Sequence, residues 1–192
     1  NGNELWVTNG TGDVVVRATK AEDSQYASAS TTATVSAAKA GQTITFAAIP
    51  DQNATSTVNL SASASSGLAV SFGVDSGPAT LSGNQLSFSG TGTVKVWAGQ
   101  EGDSNYLAAA SVTNSFQVSA GTQAPVVFNP AATQVYNTTN TLTASGGSGS
   151  GSYSYTVMSG PGVIVNGNEL WVTNGTGDVV VRVTKAGDSQ YT

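Results

Sequence analysis

Residues 1–26 read NGNELWVTNGTGDVVVRATKAEDSQY, and residues 166–191 repeat them with two changes, Ala18 to Val183 and Glu22 to Gly187. A looser copy, GNQLSFSGTGTVKVWAGQEGDSNY, fills residues 83–106. It keeps the skeleton G-N-x-L, G-T-G, V-x-V and D-S-x-Y. We call residues 1–26 copy 1, residues 83–106 copy 2 and residues 166–191 copy 3. They follow one another at about 80 and 85 residues, the size of a small β-sandwich, so the chain is predicted to be an array of modules.

Short segments that alternate apolar and polar residues lie between turns rich in Gly, Pro, Asn and Asp, which is typical of strands. Seven such strands are predicted in one complete module, at residues 43–46, 58–62, 68–72, 79–81, 85–88, 94–98 and 115–118. After them we predict strands at residues 125–128, 141–144, 153–157, 163–164, 170–173 and 179–183. This pattern predicts an all-β fold of tandem immunoglobulin-like β-sandwich modules in an extended array.

The repeat spacing divides the chain into three parts. Residues 1–40 are predicted to be the C-terminal half of a module, residues 41–120 a complete module, and residues 121–192 a module that lacks its last strand. About 40 residues cannot bury a core alone, so the chain is a slice of a longer array, or neighbouring chains complete the half-modules. Copies 1 and 3 would compete for one place in a single sandwich, which favours the slice.

The chain has 6 basic and 11 acidic residues, a net charge of −5, and neither His nor Cys. Phosphate binding needs clustered Lys and Arg, so a nucleic-acid partner is not expected. A catalytic triad, a zinc site and a thiolate nucleophile all lack their residues, and we expect no enzyme and no cofactor. No apolar run is long enough to insert in a membrane.

The motif Asp-Ser-x-Tyr recurs at the end of each copy. An Asp side chain can accept hydrogen bonds from N–H groups two and three residues on, while the Tyr ring packs locally, so the motif predicts a structural turn. The turn residues are Asp23, Tyr26, Asp103, Tyr106, Asp188 and Tyr191. The alternative is calcium at a module junction, with Asp13 or Glu22 and Asp23 as ligands. Glu22 and Asp13 are lost in copy 2, which favours the turn.

The three tryptophans, Trp6, Trp97 and Trp171, are candidate surface contacts. Aligned copies place Trp6 and Trp171 opposite Ser87, between positions that are apolar in every copy, and Trp97 opposite Arg17. Positions that tolerate Ser and Arg face outward. An outward Trp is either covered by a loop or a neighbouring module, or contacts a glycan or another subunit.

The series SGLAVSF at residues 66–72, SGPATLSGN at residues 76–84, GTGTV at residues 90–94 and GDSNY at residues 102–106 resembles tandem bacterial immunoglobulin-like repeats of large cell-surface, adhesin-type proteins. The resemblance implies an extracellular location on a bacterial surface, a stalk or adhesive role, and neighbouring modules of the same or an identical chain as partners. The stretch GGSGSGS at residues 146–152 departs from the pattern and predicts a longer, mobile loop.

Three functions remain open. The first is a non-catalytic stalk, spacer or adhesin shaft. The second is a subunit of a self-assembling extracellular fibre or surface layer, a homopolymer, and the third is a carbohydrate-binding module.

Overall fold

The computed structural model describes residues 4–192, so the first three positions of the predicted half-module lie outside the described residues. Within these residues all regular structure is β, in eighteen strands, and the all-β prediction is confirmed. In the same range there is no helix with the length and apolarity to cross a membrane.

The first two strands form a hairpin. β1 (Gly12–Lys20) pairs antiparallel with β2 (Ala29–Ala37) over nine residues, from Gly12↔Ala37 to Lys20↔Ala29. Val14 and Val35 are directly opposed in this ladder. β2 is exposed along nearly its whole length, so its pairing with β1 does not create a buried core.

Residues 44–119 contain two larger sheets. The strands are β3 (Ile44–Phe46), β4 (Gln52–Asn53), β5 (Thr57–Asn59), β6 (Ala62–Ala64), β7 (Ser71–Ser76), β8 (Ala79–Ser82), β9 (Gln85–Phe88), β10 (Gly92–Gly99) and β11 (Val112–Ser119). One sheet has the order β4-β11-β10-β7 and the other β5-β9-β8, while β3 pairs with β6. This is the strand order of an immunoglobulin-like sandwich.

Residues 126–185 repeat the scheme with seven strands in place of nine. The strands are β12 (Val126–Phe128), β13 (Thr139–Thr141), β14 (Ala144–Gly146), β15 (Tyr153–Ser159), β16 (Gly162–Val165), β17 (Glu169–Val172) and β18 (Val180–Lys185). The sheets are β13-β17-β16, β15-β18 and β12-β14. Among the described residues no strand corresponds here to β4 or to β11.

The chain divides into two compact units. The first comprises Asn1–Ile49, Asn59–Asp75 and Lys95–Ser115, and the second Pro50–Val58, Ser76–Val94 and Phe116–Thr192. In the first unit Phe46 and Phe72 pack with ring centroids 5.7 Å apart. In the second, Phe88 of β9 and Phe116 of β11 meet edge to face at 6.0 Å, which joins the two sheets. The three-module division made from sequence stays a prediction.

Strand alternation sets the core. In β9, Leu86 and Phe88 are buried and their neighbours are exposed, and in β17 Leu170 and Val172 repeat the pattern. Burying an aliphatic side chain of this size contributes about 1.5–3 kcal/mol. A second buried cluster in residues 128–181 centres on Leu142, Leu170 and Val172, with Phe128 and Tyr155 packed against it.

Two predicted strands are each split in the structure. Residues 58–62 and 141–144 were expected to be continuous, but the ladder breaks at Leu60 and at Leu142, both buried. On one side of the break the chain pairs with β9 or β17, and on the other with β3 or β12. The alternation of side chains cannot show a change of partner, because both ladders have a period of two. The short strand β4 was not predicted.

Candidate functional site

The Asp-Ser-x-Tyr motif forms the same hydrogen-bonded turn in all three copies. In copy 1, Asp23 Oδ1 accepts the backbone N–H groups of Gln25 and Tyr26, each at 2.9 Å. Asp103 accepts two bonds in the same way in copy 2, and Asp188 in copy 3. In each copy the Asp N–H donates to the Tyr carbonyl oxygen. The carboxylate therefore organises the turn by itself.

In copies 2 and 3 the turn also holds an earlier segment of the chain. Ala40 forms an isolated parallel bridge with Tyr106, and Gly121 forms the same bridge with Tyr191. The N–H of Ala40 donates to Asn105 O at 2.8 Å, and the N–H of Leu107 donates to Ala40 O at 2.9 Å. Tyr26 has no such bridge among the described residues, and it is 68% exposed.

The residue between Ser and Tyr reaches back to the preceding copy. The backbone N–H of Gly10 in copy 1 donates to Asn105 Oδ1 in copy 2 at 3.0 Å. A Cβ on Gly10 would lie 2.6 Å from Asn105 Cα, so the close approach itself requires glycine. A cleft of about 290 Å³ lies at this contact and is lined by residues that include Val7, Gly10 and Tyr106.

Copy 3 contacts copy 2 through the equivalent residue, Gln190. Its Nε2 donates to Phe88 O at 3.1 Å and to Ala54 O at 3.3 Å. Gly90, which aligns with Gly10, is buried, and a Cβ there would lie 3.4 Å from Ser189 O. Both contacts therefore pair the G-T-G loop of one copy with the Asp-Ser-x-Tyr turn of the next. We call this pair the joint.

Sequence reasoning assigned the turn to Asp and Tyr and missed the residue between them. That position is an amide in every copy, Gln25, Asn105 and Gln190. An amide offers both a donor and an acceptor, so it can bond to backbone groups of either kind. The repeated amide was the signal that pointed to a contact outside the turn.

The loop at residues 146–152 packs on the turn of copy 3, where the sequence predicted a mobile loop. Ser150 N–H donates to Asp188 Oδ2 at 2.6 Å, and Ser148 N–H donates to the Gln123 side chain at 2.7 Å. Tyr153 donates its hydroxyl to Gly146 O at 2.6 Å. The Ser150 N–H bond, helped by those of Gln190 and Tyr191, lowers the pKa of Asp188 to about 2. In copy 1 the N–H bonds of Gln25 and Tyr26 also lower the pKa of Asp23.

The three tryptophans differ in exposure. Trp6 is 79% exposed and Trp171 39% exposed, so both present their rings to solvent. Trp97 is half-buried, and its ring covers Gly73, where a Cβ would lie 2.5 Å from ring atoms, and also lies close to Gly99. A tight contact with two glycines is a packing role. Whether Trp6, Trp97 or Trp171 contacts a ligand or a subunit stays a prediction.

Apart from the backbone bonds of the turns, three acidic side chains each contact a different polar partner. Asp13 accepts the Ser36 hydroxyl at 2.6 Å, Asp23 lies 3.6 Å from Lys20, and Asp75 lies 3.8 Å from Lys95. Over residues 4–192 no three acidic, His or Cys side chains gather where an ion could bind. Calcium at the junctions stays a prediction.

No protein-family model and no curated protein matches the chain. Among solved structures, a protocadherin gammaB7 EC3-6 cis-dimer structure aligns with 92% of this chain at 15% sequence identity and a TM-score of 0.32. The alignment covers 55% of that chain, so this chain spans about half its length.

Proposed function

We propose that this chain is a non-catalytic structural repeat of a long extracellular bacterial surface protein, where it acts as a stalk, spacer or adhesin shaft. The observation that carries the proposal is the joint. The loop of one copy meets the turn of the next through Gly10 and Asn105, and again through Phe88 and Gln190.

A repeated joint suits a spacer because it fixes each copy to the next with the same local contact. A hydrogen bond contributes only about 0.5–1.5 kcal/mol. At each joint the hydrogen bond is accompanied by a glycine, Gly10 or Gly90, that packs against the backbone of the turn. This close packing restricts rotation of one copy relative to the next. The resemblance of the sequence to bacterial surface repeats supports the extracellular role, as does the scarcity of charged residues, 9% of the chain.

The joint can be tested by spin labelling, since the chain has no cysteine of its own. Labels are attached to Thr19→Cys in β1 and Thr113→Cys in β11, both exposed positions. A fixed joint gives one narrow distance distribution, and Asn105→Ala broadens it. The matched control, Asn84→Ala in an exposed turn, leaves it narrow.

A broad distribution in the unsubstituted chain would remove the basis for a spacer. Location is tested separately by labelling intact producing cells with an antibody against the chain. Surface labelling is expected, and labelling seen only after lysis would contradict the extracellular role.

A further inference from the structure

The G-T-G loops of the copies differ in length by one residue. In copy 1 two residues separate the apolar Val7 from Gly10, the first glycine of G-T-G. In copy 2 a single residue separates Phe88 from Gly90, which hold the same places in the motif. Copy 3 has the loop length of copy 1. We call the loop of copies 1 and 3 the long loop and that of copy 2 the short loop.

The amide in the turn differs in length in the opposite sense. At the first joint, between copies 1 and 2, the long loop meets Asn105. At the second joint, between copies 2 and 3, the short loop meets Gln190, whose side chain is longer by one methylene group. One more carbon–carbon bond adds about 1.5 Å of reach. A long loop thus meets a short side chain, and a short loop meets a long one.

The approach distances at the two joints agree with this difference. A Cβ on Gly10 would lie 2.6 Å from Asn105 Cα, whereas the atom nearest to a Cβ on Gly90 would be Ser189 O at 3.4 Å. The long loop therefore comes closer to its turn than the short loop does. The extra methylene group of Gln190 makes up for the larger separation at the second joint.

The direction of the hydrogen bond also differs between the joints. Asn105 accepts the N–H of Gly10 through Oδ1 at 3.0 Å. Gln190 donates through Nε2 to Phe88 O at 3.1 Å. The two loops thus present different backbone groups to their turns. An amide can bond to either group because it has both a donor and an acceptor, so a change of length alone adapts it.

Within each copy the loop and the turn are of lengths that do not match each other. Copies 1 and 3 combine a long loop with glutamine, at Gln25 and Gln190. Copy 2 combines a short loop with Asn105. A matching pair therefore arises only between unlike copies, in either order. Two like copies would bring together a long loop with a long side chain, or a short loop with a short one.

We propose that the length of this amide decides which loop a turn accepts, so that Asn105 specifies a long loop and Gln190 a short loop. The proposal rests on the spacer role, because it concerns the joint that carries that role. Copies 1 and 3 are nearly identical, and similar modules in one array are prone to misassemble. A mismatch between like copies disfavours their pairing, so the joint also sets the order of the modules.

Each mismatch has a physical cost. An asparagine in place of Gln190 would leave its N–H donor up to about 4.5 Å from Phe88 O, against 3.1 Å now, which is beyond hydrogen-bonding distance. A glutamine in place of Asn105 would press its longer side chain against a loop that already packs on the turn through Gly10. The loop would then have to withdraw, because overpacked atoms force the backbone to move.

Reciprocal rescue at the first joint tests the matching. The spin labels are again those at Thr19→Cys and Thr113→Cys. Asn105→Gln is expected to broaden the distance distribution, and so is deletion of the exposed Asn9, which gives copy 1 a short loop. The two changes together are expected to restore a narrow distribution. Asn84→Gln, the same change in an exposed turn, is the control and leaves the distribution narrow.

The second joint allows the opposite exchange, followed by hydrogen exchange. The Gly121 N–H donates to Gln190 O at 2.7 Å, and Gln190→Asn is expected to speed its exchange about fivefold. Insertion of an asparagine between Ser89 and Gly90 gives copy 2 a long loop. The insertion is expected to speed exchange in the unsubstituted chain and to restore the original rate in Gln190→Asn.

Rescue at either joint supports the proposal, because an amide with a merely structural role would not recover when a second change is added. Absence of rescue at both joints overturns it. A narrow distribution in Asn105→Gln also overturns it, and leaves the spacer role intact. A broad distribution in the unsubstituted chain removes the spacer role and this proposal with it.

Discussion

The backbone N–H of Gly10 donates to the side-chain oxygen of Asn105 at 3.0 Å, although the two residues are 95 positions apart. Asn105 occupies the one variable position of a turn whose other residues are fixed by local chemistry. The turn therefore serves two purposes. Its Asp accepts backbone hydrogen bonds within the turn, and its amide side chain bonds to the preceding copy.

Gly10→Ala is expected to loosen the joint. The added Cβ would lie 2.6 Å from Asn105 Cα, a distance that forces the backbone to move. Overpacking of this kind typically costs about 1–3 kcal/mol. Gly41→Ala is the matched control, because no heavy atom lies within 4 Å of its Cβ position. Hydrogen exchange reports the result: exchange in copy 1 becomes faster in Gly10→Ala and is unchanged in Gly41→Ala. Equal rates in both variants would show that the contact is not tight.

Gln190→Ala is expected to weaken the second joint by about 1 kcal/mol, since two acceptors, Phe88 O and Ala54 O, lose their donor. Gln190→Glu keeps the length of the side chain but removes its N–H donor, so it should lower the free energy of unfolding by at least as much. Denaturant unfolding measures both. Gln25→Ala, the same change in the exposed turn of copy 1, is the control and should leave stability unchanged.

The turn of copy 3 should lose stability in acid. Asp188 has a pKa of about 2 in the folded chain, against an ordinary 3.8, so the unfolded chain binds the proton first as pH falls. The carboxylate's contribution is present above the ordinary pKa of 3.8 and is lost as the pH falls towards 2. Asp188→Asn should flatten that part of the stability profile, measured by thermal unfolding at several pH values. Glu101→Gln, at an exposed position, should not, and a profile that Asp188→Asn leaves unaltered would contradict the assignment.

Trp97 and Trp6 are expected to differ in how much they contribute to stability. Trp97→Ser removes a ring packed on Gly73 and should cost about 2 kcal/mol or more. Trp6→Ser changes a side chain that is 79% exposed and should alter stability by less than about 0.5 kcal/mol. Thermal unfolding measures both. A large loss for Trp6→Ser would mean that its ring is packed in solution.

Leucines give a test of the core. Leu86→Ala should destabilise by about 2–5 kcal/mol, because Leu86 is fully buried between the sheets. Leu107→Ala changes a residue that is 54% exposed and should cost less than about 1 kcal/mol. Similar losses in chemical denaturation would mean that the core does not centre on β9.

Much of the fold follows from local pattern. Alternation at Gln85–Phe88 places Leu86 and Phe88 inside, and the structure has β9 with those bounds. The split at Leu60 could not be read, because a strand that changes partner keeps its alternation. The sequence also could not show that backbone groups of residues 146–152 bond to Asp188 and Gln123, and the mobility of that loop stays a prediction.

The sequence by itself determined the all-β class, the repeated unit and the chemistry of each Asp-Ser-x-Tyr turn. These depend on residues that are near one another in the chain, where spacing and side-chain type decide the geometry. The tertiary structure alone decided that Asn105 meets Gly10, that Gln190 meets Phe88, and that residues 146–152 meet Asp188. Such contacts join residues far apart in sequence. Only folding brings the loop of one copy to the turn of another, because position in space, and not residue type, selects the partner.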